Sequence, residues 1–452
     1  MNVLLIWPPS PSYCILTEDF SCCEPLALEY IAAPLVENYS IDILDARIEP
    51  NYQCVIRKKS YDIVGLSIPY TVSVNVCNEI IKDIKSFHKD IKVVIGGHYP
   101  TVTLEKIMLE YVDFAVIGEG VESFSELVNC IESGTDVFKV KNIAIIDKGN
   151  IHYTEKKAIE TLDTFPAPAR QLTKKYHEKY FHAHYKNISL VRFSTGCIHR
   201  CSFCILWKIT NRKYITRSND LILKELSEIE NQNIYVVDDE AFLLPKKMNE
   251  LADLLITNNI RKKYHMYLRP DTAANNPDVI EKWANAGLDS VLIGMESVFE
   301  DDLKNYRKGI NISTLYKCID ILHKNNIQIR ANFIVSPDFT LNRFQKLKDA
   351  IAELNIDKPT FSVLTPFVGT DEYEKSKDKF IIDKLEFFDC YHAFTKTHLP
   401  LEIFYREFAS LFQHANARNT DTDNARIFYS GTAGAFETMI NKMKDSFLHY
   451  RS

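Results

Sequence analysis

The residues with the most chemical content are three thiols in a short run, Cys197-Ile198-His199-Arg200-Cys201-Ser202-Phe203-Cys204. Sulfur donors spaced this closely on a loop can wrap one object, and soft thiolates select iron–sulfur clusters or zinc. A structural zinc site needs four ligands, commonly from two separated Cys-x-x-Cys knuckles. No second knuckle occurs, so a closed zinc site would have to recruit His199. Three thiolates instead leave one iron of a [4Fe–4S] cube open to an outside ligand, whereas electron-transfer ferredoxins use four. A third reading, a chance trio of core thiols, fits poorly with so loop-like a segment.

Charged residues follow expected strands nearby. Asp238-Asp239-Glu240 comes after Ile234–Val237, Arg269 after His265–Leu268, and Glu296 after Ser290–Gly294. Arg330 falls inside an expected strand, where an unpaired charge is costly and calls for a ligand carboxylate or an internal acid. In the first third of the chain, loop residues again end short apolar runs: Ser67, Gly96-Gly97-His98 and Gly118-Glu119-Gly120. Glycine permits close backbone approach, and ligands of open parallel sheets sit beyond the carboxyl ends of the strands.

The elements that must position these residues are strands alternating with helices. Val3–Trp7, Ile41–Asp45, Ile63–Ile68, Lys92–Ile95 and Phe114–Ile117 read as parallel strands, with Val74–His88 a helix facing inward through Val76, Ile80, Ile81 and Ile84. Lys148-Gly149-Asn150 is a hairpin turn, and Thr164-Phe165-Pro166-Ala167-Pro168 an extended linker. A second alternation begins at Ser189 and supplies six strands, three-quarters of a β/α barrel. The expected fold class is therefore α/β: a Rossmann-like doubly wound parallel sheet (1–140), a hairpin and proline linker (141–187), a partial (β/α)6 TIM-like barrel (188–370) and a C-terminal helical, aromatic-rich segment (371–452). The aromatics of that last segment, among them Phe387, Phe388, Phe404 and Phe412, are expected to pack as core or lid.

Composition narrows the classes. The chain has 452 residues, with 54 Lys and Arg against 60 Asp and Glu, a formal charge of −6. That balance argues against a basic nucleic-acid binder, and no apolar run approaches the ~18 residues of a membrane span. The N-terminus reads as a strand rather than a signal peptide, and the odd count of 11 cysteines argues against a disulfide framework. A reducing, cytoplasmic setting is expected. Cys14, Cys22 and Cys23 are read as packing thiols.

The Cys-x-x-x-Cys-x-x-Cys motif, with Phe203 before its last cysteine and a strand before its first, resembles the radical S-adenosylmethionine (SAM) superfamily. The N-terminal module is similar to the cobalamin-binding domain that precedes the radical core in one large subgroup. Gly96-Gly97-His98-Tyr99-Pro100-Thr101, Asp113 to Gly120, Gly294-Met295-Glu296-Ser297, Arg307-Lys308-Gly309 and Thr365 to Thr370 also resemble that subgroup.

The resemblance implies that Cys197, Cys201 and Cys204 hold a [4Fe–4S] cluster whose open iron chelates SAM. It further implies reductive cleavage to a 5′-deoxyadenosyl radical, and SAM contacts from Phe203, Asp238, Asp239, Glu240, Arg269 and Glu296. Among these, Glu296 is the ribose partner, Arg269 the carboxylate partner and Phe203 a neighbour of adenine, while the acceptor for SAM's ammonium is left open among the Asp-Asp-Glu residues. Cobalamin contacts are implied for Ser67, Gly96, Gly97, His98, Gly118, Glu119 and Gly120. The loop from Pro8 to Cys14 lacks the histidine that replaces the lower axial base in many cobalamin proteins, so the lower face would be met by water, another side chain or nothing. The implied reaction is methylation of an unactivated carbon of a small-molecule, lipid or peptide substrate. A cyclisation, rearrangement or oxidation is the alternative, and a non-catalytic Fe–S or zinc protein a more distant one. An external donor such as flavodoxin or ferredoxin would supply electrons.

Overall fold

The computed structural model describes residues 1–11, 14–15, 20–183, 185–418 and 434–450. Ser12 and Tyr13 of the Pro8–Cys14 loop, and residues 419–433 and 451–452 of the C-terminal segment, lie outside the described residues. The chain forms two compact units, Met1–Cys14 with Glu24–Tyr180, and Ile15–Cys23 with Phe181–Ser452.

The first unit is built on β1 (Asn2–Trp7), β2 (Ser40–Asp45), β3 (Ile63–Ser67), β4 (Lys92–Gly96) and β5 (Phe114–Val116), all parallel in the order β2-β1-β3-β4-β5. The hairpin β6 (Ile143–Asp147) and β7 (Asn150–Tyr153) extends the same sheet antiparallel to β5. Val3, Ile63, Val64, Val93 and Ile95 are each fully buried, because a parallel sheet covered on both faces wants continuous apolar strands rather than alternating ones. The helix Val74–Phe87 buries Val74, Cys77, Ile80, Ile81 and Ile84. Cys77 occupies the inward position expected of Val76, which is only half-buried, since the face is set by the 3.6-residue turn and not by which residue is most apolar.

The second unit carries β8 (Ile188–Val191), β9 (Asn233–Val236), β10 (Lys263–Leu268), β11 (Leu288–Glu296), β12 (Gln328–Val335) and β13 (Lys358–Val363). They are parallel and neighbour one another in chain order, as successive β/α crossovers dictate. Helices such as Pro245–Thr257 and Pro277–Ala286 begin with proline at the first turn, where its missing N–H removes no bond. The helix Leu401–Arg418 of the C-terminal segment lays Phe404, Tyr405, Phe408 and Phe412 into the same core, with Phe412 meeting Phe361 of β13 edge-on at 5.0 Å between ring centres. Phe387, Phe388 and Phe394 form a separate small cluster with Ile382. Each fully buried phenylalanine contributes ~1.5–3 kcal/mol.

Arg330, on β12, is buried, and its Nη1 lies 2.6 Å from Nε2 of His182. The imidazole itself stacks on Tyr235 at 4.6 Å. Lys358 lies buried close by, and burial followed by the Arg330 charge pulls its ammonium down to about 8.

Candidate active site

The three thiols lie on the loop after β8. Gly196 opens that loop at φ 93, a left-handed conformation, and a Cβ there would collide with the carbonyl of Lys213. Its N–H donates to Asp239 Oδ2 at 2.7 Å. Further along, the Ser202 N–H donates to the Tyr306 carbonyl at 2.9 Å, and the Ser202 carbonyl accepts from the Glu372 N–H at 3.0 Å. Trp207 Nε1 donates to the Cys201 carbonyl at 3.1 Å. The loop is thus held by a strand end and by helix residues far apart in sequence, which pre-organises the sulfurs.

Cys201 is buried, while Cys197 and Cys204 are half-buried. Burial raises the Cys197 thiol and pushes Cys204 up to about 12, so without a cation these sulfurs stay protonated, and a bound metal would deprotonate them. Burial, then the Arg269 charge, pulls His199 down to about 4. Among the described residues no three His, Cys, Asp or Glu side chains converge as ligands of a single metal ion. In a cubane each thiolate binds its own iron, so a spread trio on a fixed loop is the donor set that fits.

The three acids after β9 do different things. Asp238, 1% exposed, accepts from the Phe193 N–H at 2.8 Å and from the Ser194 hydroxyl, stapling the end of β8 to β9; burial pushes its carboxyl up to about 7. Asp239 holds Gly196. Glu240, also 1% exposed, accepts the Arg269 N–H on Oε2 at 2.8 Å, but its Oε1 is buried and has no hydrogen-bond partner among the described residues. Burial pushes Glu240 up to about 7. A buried acceptor without a donor is costly, and an ammonium group would satisfy it.

Glu296 ends β11 at φ 62, where the register with β12 slips between Gly294 and Glu296. A non-glycine residue held in this region is strained and needs support. That support is Lys308, whose Nζ donates to Glu296 Oε1 at 2.7 Å with both side chains buried. Gly294 makes the pair possible, because a Cβ there would run into Glu296 Oε1 and the Lys308 ammonium. Arg269 faces Asp271, the Lys308 carbonyl and Cys201 Sγ. Phe203 is half-buried and packs edge-on against Tyr306 at 5.7 Å. Local sequence does not mark Lys308, Tyr306 or Gly294 as site residues, although Lys308 and Gly294 belong to strings that resemble the subgroup. Their roles depend on pairing across strands, which local sequence does not display.

In the first unit, Ser67, Gly96-Gly97-His98 and Gly118-Glu119-Gly120 stand at or just beyond the carboxyl ends of β3, β4 and β5. Gly97 adopts φ 110, and a Cβ there would lie 2.8 Å from the Ile68 carbonyl oxygen. A Cβ at Gly118 would meet nothing within 4 Å, and the Gly118 N–H donates to Thr101 Oγ1 at 2.9 Å. His98 is exposed at the start of the helix His98–Val102. Small residues that leave open space over strand ends fit a broad ligand such as a corrin. No helix among the described residues is long and apolar enough to cross a membrane.

Comparison with known proteins agrees with this division. The B12 binding domain family matches residues 14–128, and the radical SAM superfamily matches residues 191–351. The hopanoid C-3 methylase of Methylococcus capsulatus is 26% identical, over 88% of this chain and 77% of the methylase. The anaerobic magnesium-protoporphyrin IX monomethyl ester cyclase of Synechocystis sp. is 25% identical, over 88% of this chain and 82% of the cyclase. Among solved structures, the cobalamin-dependent SAM radical enzyme OxsB, with aqua-cobalamin and SAM bound, superposes with a TM-score of 0.71 at 15% identity, covering 99% of this chain and 79% of OxsB. That last likeness is one of fold.

Proposed function

This chain belongs to the radical SAM superfamily, in the branch with an N-terminal cobalamin-binding domain, and from that premise we propose that it methylates an unactivated carbon of a small-molecule, lipid or peptide substrate. It is a cobalamin-binding radical SAM enzyme, with [4Fe–4S], SAM and cobalamin as its cofactors. An sp³ C–H bond offers no lone pair for ordinary methyl transfer, so hydrogen abstraction has to create the reactive centre. When bound, the cluster supplies the electron that splits SAM into methionine and a 5′-deoxyadenosyl radical, and the corrinoid supplies the methyl group.

The chain's own residues bind and orient. Cys197, Cys201 and Cys204 ligate the cluster. Glu240 Oε1 accepts from SAM's ammonium, and this orphaned buried acceptor at the rim that carries the thiols is the observation on which the reading rests. Glu296 takes the ribose hydroxyls through the oxygen that Lys308 leaves open, and Phe203 lies beside adenine. Asp238 and Asp239 act indirectly, by fixing the strand end and the cysteine loop. Ser67, Gly96, Gly97, His98, Gly118, Glu119 and Gly120 line the corrinoid site. A flavodoxin or ferredoxin provides the electron.

The similarity to a hopanoid methylase over most of both chains supports methyl transfer. The comparable similarity to a cyclase supports a second reading, ring closure or rearrangement without a gained methyl. Anaerobic reconstitution tests both. The first requires the four irons of a cubane, release of 5′-deoxyadenosine, and S-adenosylhomocysteine together with a product heavier by one methylene. Radical cleavage with no gain in product mass selects the second. Tight stoichiometric zinc without SAM cleavage overturns the proposal.

A further inference from the structure

Arg269 is the only one of the expected SAM contacts whose side chain reaches a cysteine sulfur among the hydrogen bonds of the described residues. A guanidinium offers five N–H donors in a rigid fork, and two of its edges can grip a carboxylate. In Arg269 the Nε–Nη2 edge already grips Asp271, at 3.0 Å to Oδ1 and 3.3 Å to Oδ2. Nη2 also donates to the Lys308 carbonyl at 2.8 Å. Nη1 points the other way and lies 3.9 Å from Cys201 Sγ. The residue is 7% exposed, and its backbone N–H is tied to Glu240, so it has little room to turn toward a newly arrived anion. Cys201, at 7% exposed, is the one buried member of the trio, so the cation acts on sulfur with little water between.

We propose that Arg269 sets the reduction potential of the cluster through Cys201, held in place by Asp271 and the Lys308 carbonyl, and does not serve as the partner of SAM's carboxylate. The inference rests on the radical SAM reading above. Reduction adds one negative charge to the cluster and its thiolates. A fixed cation and N–H donor beside one ligating sulfur stabilises the reduced form more than the oxidised form and raises the potential. Without that cation the cluster would be harder for an external donor to reduce. Lys308 links the two halves of the rim, since its ammonium holds Glu296 while its carbonyl holds Arg269.

The test uses the full chain, reconstituted anaerobically, with the cluster titrated potentiometrically by electron paramagnetic resonance with and without SAM. For Arg269→Leu the midpoint should fall, by a tenfold change in the reduced-to-oxidised ratio at fixed solution potential, 59 mV for a one-electron couple. SAM affinity, read from the SAM-dependent change in the spectrum, should stay close to wild type. Arg269→Lys, which keeps the charge, should recover part of the midpoint. An unchanged midpoint together with a tenfold loss of SAM affinity would make Arg269 the carboxylate partner and overturn the assignment. If the leucine variant fails to load the cluster, Arg269→Gln decides, and an unshifted midpoint there also overturns it. A wild-type chain that loads no cubane would instead remove the underlying reading, a result visible before any variant is compared.

Discussion

The two parallel sheets end in the same topological place, beyond the carboxyl ends of their strands, yet the rims there are built from opposite materials. In the first unit the rim is Ser67, Gly96, Gly97, His98, Gly118, Glu119 and Gly120, dominated by residues with no Cβ and by open space at Gly118. In the second it is Asp238, Asp239, Glu240, Arg269, Glu296 and Lys308, with all but Asp239 buried. Clearing side chains makes room for a wide ligand and demands little of the strands below. Burying five charged groups demands partners, and the second unit supplies them with a strand-end staple, a glycine notch and a bridging lysine, leaving Glu240 Oε1 without a donor among the described residues. A rim of glycines tolerates error in depth, whereas a rim of buried charges tolerates almost none.

That contrast can be broken at several points. The largest effect is expected from Cys197→Ala, Cys201→Ala or Cys204→Ala, each abolishing SAM cleavage, while Cys318→Ala and Cys390→Ala leave it largely intact; 5′-deoxyadenosine release after anaerobic reconstitution reports this. Equal loss from all five would show that cysteine spacing is no guide to the site. Next in size is Lys308→Met. It strands Glu296 as a buried unpaired charge and should cost ~3–5 kcal/mol in chemical unfolding, with part of the loss recovered by adding Glu296→Gln. Recovery that never appears would mean the pair is not the reason Lys308 matters.

Paired glycine substitutions sharpen the comparison itself. Gly294→Ala should displace the Glu296–Lys308 pair and weaken SAM binding about tenfold, ~1.4 kcal/mol, while leaving cobalamin affinity alone. Gly118→Ala meets no steric obstacle, but at φ 85 it should cost ~1–2 kcal/mol and weaken cobalamin rather than SAM. Equilibrium binding of each ligand to each variant checks the crossing; effects that do not separate by rim would end the distinction.

The smallest effect is a pH slope. Glu240 and Asp238 are held by burial at about 7, above the ordinary values of 4.5 and 3.8. The folded state therefore binds more protons than the unfolded state between roughly pH 4 and 7, so stability should fall as pH rises through that window. Glu240→Gln should flatten the slope in unfolding titrations of the cofactor-free chain. In the wild type, SAM binding should strengthen as pH rises through 7, because only the ionised carboxylate pairs with an ammonium. A slope unchanged by Glu240→Gln would assign it to Asp238 and other groups.

Much of the architecture was legible in the sequence, because parallel strands buried on both faces write themselves as short apolar runs. Helical inward faces were nearly as readable, with Val76 displaced by Cys77 through geometry rather than hydropathy. The site was legible only where its chemistry is local. Nothing in the string Asp238-Asp239-Glu240 says which acid staples a strand, which holds a loop and which keeps an oxygen free. That choice depends on Phe193, Ser194, Gly196 and Arg269 arriving from other strands. The same holds for Arg330, whose partner His182 lies 148 residues away.

The sequence by itself determined the order of strands and helices, the trio of sulfurs and the kind of donor they present, since these follow from short-range pattern and the chemistry of each side chain. Tertiary structure alone decided that Arg269 faces a sulfur, that Lys308 spans two functions and that Gly294 must lack a Cβ. Those outcomes come from distances between residues remote in the chain, and from the high energy of any buried charge left without a partner, a quantity that exists only once the strands have closed around it.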